Sequence, residues 1–124
     1  MDAPSYPPDD PNISDDELLY RTIHPHFINE GRVTSAAFLS RKDPHVSVDL
    51  ASLSTPEQSL ARRPAHAGVV QLVTGFVRSL RLAVAGDPLP ENPAHALIVA
   101  AAQSKQIARQ LARASAWVIA PRTA

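Results

Sequence analysis

Prolines divide this chain into short segments and mark where its helices and strands must end. The sequence has 12 prolines among 124 residues. Proline breaks helices and lacks the N–H that a sheet ladder needs, so each one indicates a loop or an element end. All five histidines lie within two residues of a proline: His24, His26, His45, His66 and His95. We therefore expect the imidazoles in loops and at element ends, where a folded domain gathers side chains from distant parts of the chain.

Size and composition indicate one globular domain. A chain of 124 residues with 44% hydrophobic residues is long enough to bury a core. It has no cysteine, which excludes disulfides, thiolate chemistry and cysteine-ligated zinc. The longest apolar run, Ala96–Ala102, has seven residues, far fewer than the roughly 20 that a membrane-spanning helix needs. The acidic, proline-rich N-terminus is unlike a secretory signal, so we expect a soluble, cytoplasmic protein with no membrane partner.

Charge is unevenly distributed along the chain. Residues 1–30 contain seven acidic residues and one arginine, a net charge of −6, whereas residues 31–124 contain five acidic residues and eleven Lys and Arg, a net charge of +6. Such a chain folds its acidic segment back or presents two faces to partners. Four prolines and three aspartates fall within residues 1–12. We predict a disordered Pro/Asp-rich arm at 1–12, a single α+β domain at 13–120 and a short tail at 121–124.

Local patterns in the first half of the chain predict one helix and a β-hairpin. Ser14-Asp15-Asp16-Glu17 has the composition of a capping box, in which Ser14 caps the Glu17 amide. This predicts a helix that runs to about Thr22. The runs Val33–Leu39 and Val46–Leu50 indicate two strands joined as a hairpin, and the second has the clearest alternation in the chain.

The second half combines strands with helices. Thr55-Pro56-Glu57-Gln58 repeats the helix-start pattern and predicts a short helix before Pro64. Residues 68–86 fit a strand to 74, a helix to 80 and a strand at 82–85; a single helix is the competing interpretation, because the apolar residues also form a helical stripe. His95–Ala100 is predicted as a strand, although the preceding Asn-Pro would also start an alanine-rich helix. Ser104–Val118 has the amphipathic pattern of a helix.

These elements predict an α+β fold. We expect a small mixed β-sheet with two short helices and a C-terminal amphipathic helix packed on one face. Small residues on and before that last helix, at 100–102, 108 and 112, would either pack against the sheet or face a second subunit in a homo-oligomer.

Four short motifs in the stretch Leu18–Ile98 carry a resemblance to a family. They are His24-Pro25, Gly31-Arg32-Val33-Thr34-Ser35-Ala36-Ala37-Phe38, Ser47-Val48 and Pro93-Ala94-His95-Ala96. In order and spacing this pattern resembles a group of small uncharacterised bacterial proteins, over about two thirds of the chain. The resemblance implies a strand at His95 and a strand–helix–strand arrangement over residues 68–86. It implies no activity, cofactor or catalytic residue.

The histidines are the candidate catalytic residues. His24 and His26 flank one proline, and together with His95 or His66 they would form a zinc site or an acid–base pair. Asp49, Asp87 and Glu91 are the acids that could orient a histidine. The catalytic candidates are His24, His26, His95 and Asp87. The structural alternative makes His24 a helix cap and Asp87 a turn residue. We predict neither a bound metal nor a cofactor.

A basic ridge on the last predicted helix is the candidate binding surface. Lys105, Arg109 and Arg113 recur every four residues and would span about 12 Å of one helix face. Such a ridge contacts phosphates or an acidic partner. The simpler interpretation is the solvent-exposed side of an amphipathic helix, because the chain has few aromatic residues, none interleaved with these charges.

The leading functional hypothesis is a non-enzymatic bacterial interaction or accessory protein, with another protein as its expected partner. It follows from the segregated charge and the lack of a recognisable catalytic motif, since there is neither a nucleophile elbow nor a glycine-rich phosphate loop. The alternative is a small hydrolase or nuclease that uses His24 or His26 with His95. A third hypothesis is nucleic-acid binding through the basic ridge.

Overall fold

The computed structural model describes residues 5–122, which form eight strands and three α-helices. The strands are β1 (Leu18–Ile23), β2 (Ile28–Asn29), β3 (Arg32–Val33), β4 (Val46–Leu50), β5 (Gly68–Val73), β6 (Val84–Gly86), β7 (His95–Ile98) and β8 (Ala116–Ile119). The helices are α1 (Pro56–Ala61), α2 (Thr74–Ser79) and α3 (Lys105–Ala114), with short 3₁₀ turns at Pro25–Phe27, Ser35–Phe38 and Ala51–Leu53.

Six of the strands form one sheet in the order β6-β7-β4-β1-β5-β8. Every neighbouring pair in it is antiparallel, and β2 with β3 forms a separate small hairpin. The first strand therefore lies near the centre of the sheet, and its two neighbours come from distant parts of the chain. The predicted α+β class is confirmed.

The two faces of the sheet differ in chemistry. One face carries the core, in which Leu19, Val48 and Leu72 lie beside Phe38 of a 3₁₀ turn and Leu111 of α3. Of the small residues predicted to form a surface before and on α3, Ala101, Ala102 and Ala108 belong to the same core, whereas Ala112 is partly buried against it and Ala100 is exposed. The opposite face is polar along β1 and β4, and α1 contacts it.

Several predicted elements are confirmed. Strand β4 covers the predicted Val46–Leu50, and residues 68–86 form the strand, helix and strand of β5, α2 and β6. Helix α1 begins with the predicted capping box: Thr55 Oγ1 accepts from the Gln58 N–H, and Gln58 Oε1 accepts from the Thr55 N–H. The strand predicted at His95 is β7, which pairs with both β4 and β6.

The helix predicted from Ser14 to Thr22 is wrong. Ser14 Oγ accepts from the Asp16 N–H in a short turn, and the Glu17 carboxylate accepts from the Ser52 N–H instead of closing a capping box. The chain then enters β1. A Ser-Asp-Asp-Glu sequence serves a polar turn as well as a helix start, and pairing with β4 and β5 decides for the strand.

The strand predicted over Val33–Leu39 is also wrong, and so is its hairpin with Val46–Leu50. Only Val33 of that run lies in a strand, and Ser35–Phe38 forms a 3₁₀ turn that buries Phe38. The predicted helix Ser104–Val118 ends at Ala114. Its last residues form β8, where β-branched and aromatic side chains pair with β5 at the sheet edge.

The N-terminal arm attaches to the domain earlier than the predicted boundary at residue 13. The Asp10 N–H donates to the Val84 carbonyl, and Asp9 Oδ1 accepts from the Val84 N–H, both at 2.9 Å. Arg78 donates to Asp9 and to Asp15 at 3.0 and 2.7 Å. Residues 9 and 10 thus cover the outer edge of β6; residues 1–4 lie outside the described part of the chain.

Among residues 5–122, none of the helices has the length and apolar character that crossing a membrane requires.

Candidate functional site

A cleft on the polar side of the sheet extends into the gap where β1 and β4 separate, so its lining includes Arg21, whose side chain points to the core face. The ladder between the two strands contains only two residue pairs, Leu19 with Leu50 and Tyr20 with Asp49. Beyond these pairs the two strands diverge, although both continue for three or more residues. The resulting cavity of about 280 Å³ is lined by β1, residues 40–49, α1 and the loops before β5 and β7. We call it the β1–β4 cleft.

Arg21 spans the gap between the separated strands. Its Nε and Nη2 donate to the Ala37 carbonyl at 2.9 and 2.6 Å, and its Nη1 donates to the Ser47 carbonyl at 2.7 Å. The guanidinium therefore satisfies a β4 carbonyl that a continuous ladder would have used. Of the five N–H groups of an arginine, two remain without a partner among the described residues, and Arg21 lines the cleft.

The position of Arg21 in its strand explains its burial. Leu19, Arg21 and Ile23 point to the same face because successive strand side chains alternate, and the two flanking residues are fully buried in the core. The guanidinium carbon lies 5.6 Å from the centre of the Phe38 ring, within cation–π range. Burial, together with the positive charge of Arg63, lowers the pKa of Arg21 to about 10 against the opposing effect of Asp43.

The carboxylate of Asp49 is engaged by three groups other than Arg21. Asp49 is buried and accepts from Ser59 Oγ at 2.6 Å, from Asn92 Nδ2 at 2.8 Å and from Arg62 Nη1 at 3.1 Å. These contacts leave the Arg21 guanidinium without a carboxylate partner.

The remaining charges of the cleft are positive in sum. Arg21, Arg62 and Arg63 line it together with two carboxylates, Asp43 and Asp49. Counted over these lining residues, the formal charge is +1 with neutral histidines. The exposed Arg63 forms no ion pair within residues 5–122. The electrostatics of the cleft therefore favour an anion.

One histidine of the cleft is oriented by an acid. His95 Nδ1 lies 3.0 Å from Asp87 Oδ2 and 3.1 Å from the Asp87 carbonyl oxygen. Both partners are acceptors, so Nδ1 carries the proton, and Nε2 of the neutral ring is an unprotonated base. His95 is half-buried and lines the cleft. This is the arrangement by which an acid orients a general base.

Two further histidines line the same cleft. His66 Nδ1 lies 2.8 Å from Thr22 Oγ1, and burial lowers the pKa of His66, with the positive charge of Arg63 adding to the effect. His45 Nδ1 accepts from the Ala100 N–H at 2.9 Å, which places its neutral-state proton on Nε2.

The structure separates the predicted catalytic residues into two groups. His95 lines the cleft and is hydrogen-bonded to Asp87, which is not among the lining residues. His24 and His26 do not line the cleft. The centroids of their two rings are 4.5 Å apart, and the centroid of the His24 ring is 5.7 Å from that of the His66 ring. His24 Nδ1 accepts from the His26 N–H at the start of a 3₁₀ turn. Within residues 5–122, no group of three or more histidine or acidic side chains is arranged to hold a metal ion.

The basic ridge is divided between two places on the surface. Arg109 and Arg113 line a groove that includes Trp117, whereas Lys105 lines a separate depression near Phe27.

Sequence reasoning missed the arginines of the cleft. A lone arginine between apolar residues, as in Leu19-Tyr20-Arg21-Thr22-Ile23, is a signal that was available in the sequence. A charge at a core-facing strand position needs a specific set of partners. Arg62 and Arg63 gave no such signal, because adjacent arginines at a helix end are typical of exposed surface.

Comparison with family models, with curated proteins and with solved structures gave no match.

Proposed function

We propose that this protein is a non-enzymatic binding module that holds a small anion in the β1–β4 cleft. The observation that carries the proposal is Arg21, a guanidinium fixed by main-chain carbonyls at 2.6–2.9 Å. A buried arginine usually pairs with a carboxylate. Here the carboxylate of Asp49 is engaged by three other groups. Asp43 also lines the cleft and acts to raise the pKa of Arg21, but within residues 5–122 Arg21 forms no ion pair. A direct counter-ion is therefore left to a ligand.

The anion proposed is a phosphate or carboxylate group on a small molecule. A guanidinium binds both through two parallel N–H groups, and Arg21 retains two N–H groups for this purpose. Arg63 supplies a second positive charge from the rim, and the neutral His45 ring adds an Nε2–H donor from another wall of the cleft. The volume of about 280 Å³ lies near the lower limit for small-molecule sites, which favours a compact ligand.

A bacterial origin, a cytoplasmic location and a protein partner stay predictions, as does the resemblance to the uncharacterised bacterial family. A binding module that changes its surface when a small anion enters the cleft is compatible with the accessory role expected from the sequence. The ligand would then regulate contact with the partner.

A second candidate function is hydrolysis of an ester held by the same arginines. The observation that favours it is the hydrogen bond from His95 to Asp87 at 3.0 Å. His95 Nε2 would take a proton from water as the water oxygen bonds to the ester carbon or phosphorus. The bond to the alcohol oxygen would then break, and the proton on Nε2 would pass to that leaving oxygen. The substrate class would be a small phosphate or carboxylate ester.

The test of anion binding is a thermal-shift titration with inorganic phosphate at constant ionic strength, balanced with chloride. A ligand at ten times its Kd stabilises the folded state by about 1.4 kcal/mol, which is a shift of roughly 5 °C for a domain of this size. The Arg63→Gln variant should lose most of the shift, because it removes an exposed charge of the cleft. Arg81→Gln is the matched control, since Arg81 is exposed and lies outside the cleft.

Equal stabilisation by phosphate in both variants would contradict the proposal, and so would the absence of any shift in the wild-type protein.

Hydrolysis is tested separately with p-nitrophenyl phosphate and p-nitrophenyl acetate. Turnover that His95→Gln abolishes, with phosphate binding retained, would replace the non-enzymatic proposal by the hydrolase.

A further inference from the structure

A second concave surface lies at the opposite end of the sheet from the N-terminal arm. It is bounded by the β2–β3 hairpin, the C-terminal half of α3 and the start of β8, and it encloses about 580 Å³. Its lining includes Arg32, Arg109, Arg113 and Trp117. We call it the basic groove. Residues 9 and 10 of the acidic arm cover the β6 edge, so this part of the arm leaves the groove open.

The groove concentrates positive charge without compensation. Arg32 on the hairpin and Arg109 and Arg113 on α3 are exposed. No aspartate or glutamate is among the lining residues, and within residues 5–122 none of the three arginines forms an ion pair. Arg109 and Arg113 are one helical turn apart, about 6 Å along the axis. The arrangement fits a ligand with several negative charges in a row.

The groove also has an aromatic and apolar wall. The half-buried Trp117 is fixed in place, because its Nε1 donates to the Gly31 carbonyl at 3.0 Å and its ring packs against Gly68 of β5. Val33 and Ala112 line the groove beside it. A fixed indole among arginines provides a flat apolar surface next to charges that attract phosphates.

We infer that the basic groove binds single-stranded nucleic acid. The three arginines contact backbone phosphates, and an unpaired base stacks on Trp117. This combination of a positive groove and an aromatic platform is how proteins bind single strands with little sequence preference. The site uses two residues of the predicted ridge and adds Arg32, which lies far from them in sequence, and Trp117, which follows Arg113 by four residues. It is independent of the β1–β4 cleft, which involves none of these side chains.

Trp117 makes binding directly observable, because it is the single tryptophan of the chain. Titration with a 15-nucleotide oligo-dT at low salt should quench its fluorescence. With three phosphate contacts, the logarithm of the binding constant should fall with the logarithm of salt concentration with a slope of about −2. Inorganic phosphate, which is the probe for the cleft, should leave the tryptophan emission unchanged.

Charge variants localise the interaction. Arg113→Gln should weaken oligo-dT binding by about tenfold, and the Arg109→Gln/Arg113→Gln double variant should weaken it further. Lys105→Gln is the matched control, since it removes the same charge from the same helix outside the groove, and it should change binding less than twofold. Trp117→Leu should weaken binding of a fluorescein-labelled oligo-dT by about 5- to 100-fold, and Trp117→Phe should retain most of it.

Three results would overturn the inference. Absence of quenching at low salt would exclude stacking on Trp117. Equal weakening by Lys105→Gln and Arg113→Gln would mean diffuse attraction to the whole helix. Equal binding of polyglutamate, with the same quenching, would indicate an acidic protein partner instead. Far-UV circular dichroism of each variant confirms that it is folded. If Trp117→Leu unfolds, the Arg113→Gln variant still tests the site, because Arg113 is exposed.

Discussion

Replacing Arg21 with methionine is expected to destabilise the domain by about 2–3 kcal/mol. Methionine has a similar length and no donor, so the carbonyls of Ala37 and Ser47 lose the partners that now lie at 2.6–2.9 Å. A buried acceptor left without a partner costs about 1–3 kcal/mol, which gives about 2–6 kcal/mol for the two.

Two effects place the expected loss in the lower half of that range. The substitution removes a charge whose burial lowers the pKa of Arg21 to about 10, so the desolvation cost of the guanidinium is recovered. Ser47 lines the cleft, so in the variant a water molecule can replace the lost donor at its carbonyl. A loss of 2–3 kcal/mol is still a large part of the 5–15 kcal/mol stability of a typical domain.

Urea unfolding followed by circular dichroism measures this loss as a lower midpoint with an unchanged m-value. Arg63→Met is the matched control, since this arginine lines the same cleft but is exposed, and the expected change is below about 0.5 kcal/mol. Arg21→Lys should fall between wild type and Arg21→Met, because an ammonium group reaches one carbonyl but not both. If Arg21→Met matches wild type within 0.5 kcal/mol, the guanidinium does not hold the separated strands in place.

Three further predictions concern other parts of the fold. Gly68→Ala should lower stability by about 1–3 kcal/mol, because its Cβ would lie 2.7 Å from the Ile119 carbonyl oxygen; a thermal midpoint equal to wild type would contradict this packing. Burial lowers the pKa of His66 below its ordinary 6.5, so the unfolded state binds more protons and stability falls as pH drops below 6.5. His66→Gln should reduce the difference in unfolding free energy between pH 7.5 and pH 5. An unchanged difference would count against a lowered pKa of His66 in the folded state. Asp9→Ala should lower the free energy of unfolding by about 0.5–1.5 kcal/mol. It should also speed amide hydrogen exchange at Val84, because the Val84 N–H donates a hydrogen bond to the Asp9 carboxylate; unaltered exchange there would mean that the arm does not protect the β6 edge.

The sequence was informative where local chemistry and tertiary pairing agree. Val46–Leu50 alternates cleanly because one side of β4 faces the core, and the Thr55–Gln58 capping box closes within four residues. The strand, helix and strand over 68–86 were predicted although a helical stripe competes. In each case the residues that decide the structure are close together in the chain.

The main errors have one physical origin. Strand β1 does not look like a strand because Arg21 occupies a core-facing position, which breaks the alternation between Leu19 and Ile23. The arginine is tolerated there only because the Ala37 and Ser47 carbonyls come from distant segments, and no local pattern reveals them. The β8 strand was hidden in the same way, since pairing with β5 decides its structure.

The candidate site was predictable only in part. Proline spacing placed all histidines at element ends, and the pair of His95 with Asp87 is a local contact across one loop. The meeting of His45, His66 and His95 at one cleft depends on the separation of β1 from β4, which is a property of the sheet and not of any segment.

The most direct test of the anion-binding cleft is a two-dimensional ¹H–¹⁵N NMR titration with inorganic phosphate that includes the arginine Nε–H signals. The account predicts saturable shifts of the Arg21 Nε–H and of amides at 20–22 and 47–49, with α3 unaffected. Shifts confined to α3 and Trp117, or no saturable shift of Arg21, would contradict it.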